Sequence, residues 1–384
     1  MAQTDTNSAS ADTMNGTNVA LLREFLSIAA GRSSVEPGRS DRRFADAQWN
    51  ENPVLRRVMQ GYLTASLGAN RAVERLAPIM GPKRAESARF ATNLVVGAVS
   101  PTNFLVSNPA ALRKAVETRG KSLARGTRNL VHDVRHNGGF PSMVDPDAFK
   151  VGRDLALTPG AVVARDDFAE TIQYTPTTDR VFRRPVLVVP PPIGRFYFLD
   201  LRPGRSFVEY AVSQGFQTFM LSWRNPTEEQ GDWNMDTYAA RVQRALDEVR
   251  EVTGAKDVDV VAFCAGGIIS TAVLNHLADR NDKAVHTISY AVTLLDFGQP
   301  APISAFSDRA LIGFARRRSV RTGIISSRQM GSAFTLMRPD DLLFNYWVNN
   351  YLMGEQPPAF DVLAWNADGT NLPGALHALS LIHI

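Results

Sequence analysis

The chain has 384 residues, enough for one large domain or two to three ordinary ones. Its 44% hydrophobic and 21% charged residues are a globular balance, which excludes a largely disordered, collagenous or fibrous protein. A net charge of +4 is too small an excess to argue for nucleic acid, and a single cysteine excludes an internal disulfide and a zinc site built on several thiolates.

Residues 1–17 are rich in Ser, Thr, Asn and Asp and read as disordered. They lack the basic and apolar regions of a signal peptide. No run approaches the ~18–20 apolar residues of a membrane span, so the expectation is a soluble cytoplasmic protein. Residues 18–150 read as a helical domain. NPVLRRVMQGYLTASL (52–67) spaces its apolar residues by three and four behind an Asn-Pro start. The stretches 86–100 and 108–134 read the same way, each as one helix, with Pro101 and Gly138-Gly139 as stops.

After about Lys150 the pattern changes. AVVAR (161–165) and TIQYTP (171–176) are β-rich, and PVLVVPPPI (185–193) contains a continuous apolar run, as in a strand buried on both faces. A helix over 206–213, a strand over 217–223 and a helix over 235–253 follow. A strand over 258–263, a helix over 267–279 and a strand over 284–295 complete the series. This alternation predicts parallel βαβ units in a doubly wound α/β sheet over 151–297. From 298 to 384 helices return (301–316, 339–353) and give way to a Trp/Asn/Gly/Pro-rich coil, which reads as a helical cap over the sheet's carboxyl edge.

DVDVVAFCAGGIISTAVL (257–274) carries the most chemistry. A buried strand runs into Cys264, two glycines follow, and a helix begins. This is the grammar of the nucleophile elbow, G-x-S-x-G, with Cys for Ser and Ala262 for the first Gly. So sharp a turn needs small residues two before and two after the nucleophile, and Ala262 and Gly266 are small. The sulfur would sit above a helix start whose free N–H groups carry partial positive charge, and the N–H of Ala265 would face a developing oxyanion. The competing reading is that Cys264 is a small buried hydrophobe; the strand, glycines and αβα context favour the elbow.

The second oxyanion donor of such a fold comes from the loop after an earlier central strand. Pro190, Pro191 and Pro192 have no N–H, so Ile193 or Gly194 is the nearest donor; a rigid proline turn with no catalytic part is an equal alternative. A cysteine nucleophile also needs a base and an orienting acid. His132 and His136 lie in the helical region, His276 on the helix leaving the elbow, and His286 at a strand start, on the wrong edge of a parallel sheet. His377 and His383 fall in the final coil. None sits after a late strand, where the hydrolase fold places its base. Asp296 follows a strand and is either an acid or a turn residue.

Several blocks in order resemble the polyhydroxyalkanoate (poly-3-hydroxybutyrate) synthases, most like the single-chain class I type. DRRFADAQWNENPVLRRVMQGYL (41–63) is similar to the family's N-terminal signature, and VVPPPIGRFYFLDLRPGRSFVEYAVSQGFQTFMLSWRNP (188–226) to its oxyanion-loop and second-strand block. DVVAFCAGG (259–267) resembles its lipase-like box with cysteine, and TLLDF (293–297) the strand end that follows. RPDDLLFNYWVNNYLMG (338–354) and FDVLAWNADGTNLPG (360–374) look like its cap region.

The resemblance implies an α/β-hydrolase-like core and an acyltransferase that polymerises (R)-3-hydroxyacyl-CoA. Cys264 would form a thioester, release CoA and pass the acyl group to a hydroxyl end of growing polyester. It further implies no metal and no cofactor beyond the substrate's CoA, self-association as a homodimer, and residence on a polyester granule in the cytoplasm. The family's box begins with Gly where Ala262 stands here. Family chains also continue past WNADGTNLPG through the strands that carry a catalytic Asp and His, whereas this chain ends ALHALSLIHI. The expectation is a truncated chain with a foreign LSLIHI tail and a sheet incomplete on its C-terminal side, inactive as it stands. Two basic runs, Arg316, Arg317, Arg318 and Arg321, and Lys114, Arg119, Lys121, Arg125 and Arg128, are candidates for CoA phosphates and for a partner respectively; solvated faces are the plainer reading. A cysteine hydrolase of the same fold (polyester depolymerase or dienelactone hydrolase type) and a non-catalytic granule-associated protein are the competing functions.

Overall fold

The structure, a computed structural model, describes residues 19–296 and 309–383. The stretch 1–17, expected to be disordered, lies outside the described residues. The chain falls into two compact units: residues 1–142 with 335–357, and residues 143–334 with 358–384. The segment expected as a cap is therefore shared between them.

The first unit is helical: α1 (19–29), α2 (Gln48–Glu51), α3 (Pro53–Met80), α4 (Pro82–Ala98), α5 (Pro109–Glu117) and α6 (Lys121–His136). Asn52 starts α3 by accepting the N–H groups of Val54 (2.9 Å) and Leu55 (3.3 Å), and Pro53 stands where no N–H is needed. Phe44, Trp49 and Met59 bury themselves as a small core, with the Phe44 and Trp49 rings edge-on at 4.9 Å. The single helix expected over 108–134 is two. Arg119 and Gly120 both take positive φ, 50° and 79°, and the Thr118 hydroxyl donates to Ser122 Oγ while accepting its N–H. A left-handed pair and a competing side-chain hydroxyl end α5 and restart α6.

The segment 338–354 contributes the π-helical turns Asp340–Phe344 and Trp347–Leu352 to this unit. The buried Asp133 carboxylate of α6 accepts from Tyr351 Oη (2.8 Å) and from the backbone N–H of Ser142 (3.0 Å). Gly126 faces the Tyr351 carbonyl so closely that a Cβ would overlap it.

The second unit is built on a six-stranded sheet: β1 (Gly160–Arg165), β2 (Ala169–Tyr174), β3 (Val186–Val189), β4 (Thr218–Trp223), β5 (Val258–Phe263) and β6 (Val285–Ala291). Their order is β1-β2-β4-β3-β5-β6. β1 and β2 are antiparallel, β2 pairs antiparallel with β4, and β4, β3, β5 and β6 run parallel. It is an α/β-hydrolase-type mixed sheet. Side chains alternate across it. Leu187, Val189, Phe219, Leu221, Val260 and Ala262 pack on one face against α8 (Met235–Thr253) and α9 (Ala265–Asp279). Val186, Val188 and Met220 pack on the other against α7 (Phe207–Ser213). β3 is buried at all four positions, as its unbroken Val-Leu-Val-Val run requires.

Two expectations are corrected beyond the sheet, and a third lies partly outside the described residues. The strand expected over 284–295 ends at Ala291, because Val292 takes φ 47°, a turn that takes the chain out of the ladder. The helix expected over 301–316 is described only as α10 (Arg309–Thr322), since 297–308 lie outside the described residues. After the short β7 (Ile324–Ile325) and α11 (Ser327–Met337), the final coil is instead α12 (Asp361–Ala367), β8 (Leu372–Pro373) and α13 (Gly374–His383). The spacing of Leu372, Leu376 and Ala378 explains this: all three are buried, and Leu372 and Leu376 join the main core.

Candidate active site

β3 and β5 lie side by side in register, Val189 beside Ala262, so the chain leaving each strand emerges at the same sheet edge. Cys264 follows β5 with φ 50° and ψ −124°, a left-handed backbone that a Cβ-bearing residue holds only when its surroundings enforce it. The enforcement is visible. The Cys264 N–H donates to the Ala291 carbonyl at the end of β6 (3.0 Å), and the Cys264 carbonyl accepts the N–H of Gly267 (2.9 Å). α9 starts at the next residue.

Each neighbour of Cys264 is small for a separate reason. A Cβ on Gly266 would overlap the Val189 carbonyl oxygen and come within 2.8 Å of that of Pro190. On Gly267 it would run into the Thr293 side chain. Ala262 is fully buried and its methyl is accommodated within the core. The thiol is exposed, so the buried-hydrophobe reading of Cys264 does not describe its position. Among the described residues no group accepts the N–H of Ala265, the first residue of α9.

The loop after β3 separates the two donor candidates. The N–H of Gly194 is taken by Thr370 Oγ1 at 2.7 Å. That of Ile193 has no acceptor among the described residues, and the Ile193 side chain packs against the main core. The aromatics of GRFYFLDL divide: Tyr197 is buried, Phe196 packs into the core, and Phe198 is exposed against Trp365 at 4.6 Å.

The structure brings none of the histidines whose side chains are described to the elbow. His132 and His136 are exposed on α6. His276 is in the last turn of α9, three turns from Cys264, beside Arg280. His286 is at the amino end of β6, 3.0 Å from Asp259. His377 lies on α13 against Ser319 Oγ (2.7 Å), and burial holds its imidazole below the usual value; His383 is also on α13 rather than in a coil. Asp296 is exposed, past the end of β6. Arg316, Arg317, Arg318 and Arg321 are exposed, with no ion-pair partner among the described residues. In the other basic run, Lys114 pairs with Glu355 (3.0 Å) and Arg125 Nε donates to the Gly354 carbonyl (3.1 Å), so two of its members hold the chain rather than await a partner. Among the described residues no group of three or more His, Cys, Asp or Glu side chains is arranged to hold a metal ion, and no described helix is long and apolar enough to cross a membrane.

Residues 40–211 match the family model described as Poly-beta-hydroxybutyrate polymerase (PhaC) N-terminus. The chain is 42% identical over 354 residues to Poly(3-hydroxyalkanoate) polymerase 1 of Ectopseudomonas oleovorans, covering 92% of this chain and 63% of that one. It is 36% identical over 370 residues to the Poly(3-hydroxyalkanoate) polymerase subunit PhaC of Cupriavidus necator, covering 94% and 61%. Over more than nine tenths of its length the chain is similar to polyhydroxyalkanoate polymerases. It spans about three fifths of the length of these curated polymerases. Solved structures of a putative esterase from Staphylococcus aureus and a bromoperoxidase from Bacillus anthracis align only loosely. Their TM-scores are 0.29 and 0.24, at 14% and 12% identity over 64% and 56% of this chain and 69% and 74% of theirs.

The contacts that Thr370 and Trp365 make with the proline loop are not announced by the sequence. The residues stand some 170 positions from the loop, and no local pattern announces a partner that far away.

Proposed function

We propose that Cys264 is the acyl-carrying nucleophile of a polymerase acting on (R)-3-hydroxyacyl-CoA. The sulfur attacks the thioester carbonyl, the carbon–sulfur bond to CoA breaks in the collapse of the tetrahedral intermediate, and CoA leaves as the thiol after taking up the proton the cysteine gave up. The hydroxyl end of a growing polyester then displaces Cys264 in the same manner. Sulfur suits both halves, because exchange between two thioesters is nearly balanced and the thiolate is a good leaving group.

The observation that carries this reading is the exposed thiol at φ 50° on the strand-to-helix turn, next to the Ala265 N–H that no described group accepts, with a second unclaimed N–H, that of Ile193, on the loop leaving the adjacent strand β3. Two such donors match what a developing oxyanion needs. The polymerase names of the relatives favour transfer to a polyester over hydrolysis. Among the described side chains no histidine reaches the elbow, so no base is assigned to it. CoA enters as substrate, with no further cofactor and no metal, and a homodimer on a cytoplasmic polyester granule is the setting that follows from the family.

The test is incubation of the chain, and of a chain extended to the relatives' length, with (R)-3-hydroxybutyryl-CoA. The expected result is CoA release with one hydroxyacyl unit on Cys264, absent in Cys264→Ala, and insoluble polyester from the extended chain. Free hydroxy acid instead of polymer would point to a hydrolase. Acyl transfer that persists in Cys264→Ala would overturn the assignment of the nucleophile.

A further inference from the structure

The loop between β3 and α7 has an unusual need. Pro190, Pro191 and Pro192 have no N–H, so the first residues past the sheet edge cannot tie themselves down by their own backbone donors. Yet the loop is held at almost every step. Trp223 Nε1 donates to the Pro190 carbonyl (2.8 Å), from within the sheet. Over Pro192–Tyr197 the side-chain ties come from one segment, residues 365–371. The Thr370 hydroxyl donates its one proton to the Pro192 carbonyl (3.0 Å) and accepts the Gly194 N–H (2.7 Å). Trp365 Nε1 donates to the Arg195 carbonyl (2.8 Å), and Asp368 accepts from Tyr197 Oη (2.9 Å) and pairs with Arg195 Nε (3.3 Å).

The segment is itself anchored. The Asn371 N–H donates to Asn225 Oδ1 (2.8 Å), Asn371 Nδ2 donates to the Pro226 carbonyl (2.9 Å), and Asn371 Oδ1 accepts the Ser327 N–H (3.0 Å). Contact with the loop is close. Gly194 takes φ +89°, and a Cβ there would overlap the Trp365 ring.

We propose that 365–371 is a positioning strap for the oxyanion loop, with Thr370 as its central residue; the proposal rests on the reading of Cys264 given above. Thr370 closes a clamp across Ile193. It occupies the carbonyl before that residue and the N–H after it, and leaves the N–H of Ile193 itself unclaimed. One hydroxyl therefore decides which of the two candidate amides is free on the loop after β3 and fixes the orientation of the peptide that bears it. The hydroxyl acts through the backbone and touches no reacting atom, so Thr370 is a positioning residue.

The experiment compares the wild-type chain with Thr370→Val, which keeps the shape and removes the hydroxyl, and Thr370→Ser, which restores it. Amide exchange at Gly194 is followed by mass spectrometry. In parallel, acylation of Cys264 by (R)-3-hydroxybutyryl-CoA, which develops an oxyanion, is set against its alkylation by iodoacetamide, which does not. Thr370→Val is expected to speed Gly194 exchange at least about tenfold and to slow acylation by about 10- to 100-fold, with alkylation unchanged. Thr370→Ser is expected to stay near wild type in all three. Unchanged Gly194 exchange in Thr370→Val, a Ser variant as impaired as Val, or acylation and alkylation falling together would each overturn the strap. A wild-type chain that accepts no acyl group at Cys264 would instead count against the proposed function, and the exchange comparison alone would then decide the strap.

Discussion

Gly266→Ala isolates the close approach that shapes the elbow. The added methyl would overlap the Val189 carbonyl oxygen and lie 2.8 Å from the Pro190 oxygen and 2.9 Å from its carbonyl carbon. These are backbone atoms at the end of the fully buried central strand, so neither can rotate away. Over-packing costs about 1–3 kcal/mol, and a rigid partner puts this site at or above the upper end. Alanine in a helix returns about 0.5–1 kcal/mol, which leaves a net loss of about 2–3 kcal/mol. At about 2–4 °C per kcal/mol for a unit of this size, the melting temperature should fall by about 4–12 °C. Gly267→Ala is the internal comparison. The three nearest atoms to its methyl belong to the Thr293 side chain rather than to backbone; rotation about χ1 moves Oγ1 and Cγ2 though not Cβ, so the clash is relieved in part and the shift should be smaller than for Gly266→Ala. Thermal melts by circular dichroism of the three proteins decide the matter. A Gly266→Ala protein that melts with or above the wild type, or below which Gly267→Ala melts, would refute the argument that backbone contact makes this position glycine.

Three further outcomes follow from the two units. Tyr351→Phe removes one of the bonds to the buried Asp133 carboxylate and should lower stability in urea by about 1–3 kcal/mol. Burial first, and Asp133 second, push the Tyr351 phenol above its ordinary 10.0. That part of the stability is full below pH 10.0 and lost as the pH rises beyond it, so the variant should also lose less stability in alkali than the wild type. Burial lowers the imidazole of His377 below 6.5. The unfolded chain then binds the proton more readily, so stability is full above pH 6.5 and declines as the pH falls below it. His377→Gln should flatten that slope in melts between pH 5 and 7.5, and an unchanged slope would count against it. The outer edge of β6 pairs with no strand among the described residues, and Ser289 is exposed on it. Ser289→Lys should reduce light scattering at micromolar concentration, whereas equal scattering would show that association runs through another surface.

Much of the second unit is legible in the residues. The helix over 235–253 and the strand over 258–263 stand at their expected bounds because a capping Asn234, a closing Gly254 and an alternating apolar run are local signals. The elbow was legible for the same reason: strand, cysteine, two glycines and helix are consecutive. Errors arose where distant contacts override local pattern. Apolar residues of 292–295 read as strand, but Val292 turns out of the ladder and Leu294 and Leu295 are exposed. The Asn/Gly/Pro-rich end read as coil, yet Leu372 and Leu376 find a place in the main core and a helix forms around them.

The candidate site divides along the same line. That a cysteine stands at a strand-to-helix turn, flanked by residues small enough for it, is written in a run of nine amino acids, because backbone geometry and Cβ size act over one or two positions. Which amide of the proline loop remains free is not written there. Ile193 and Gly194 are equal candidates until Thr370, 176 positions from Gly194, places its hydroxyl on one of them. A hydrogen bond requires atoms to meet within about 3 Å, and only the folding of the second unit around its sheet brings that hydroxyl to that amide.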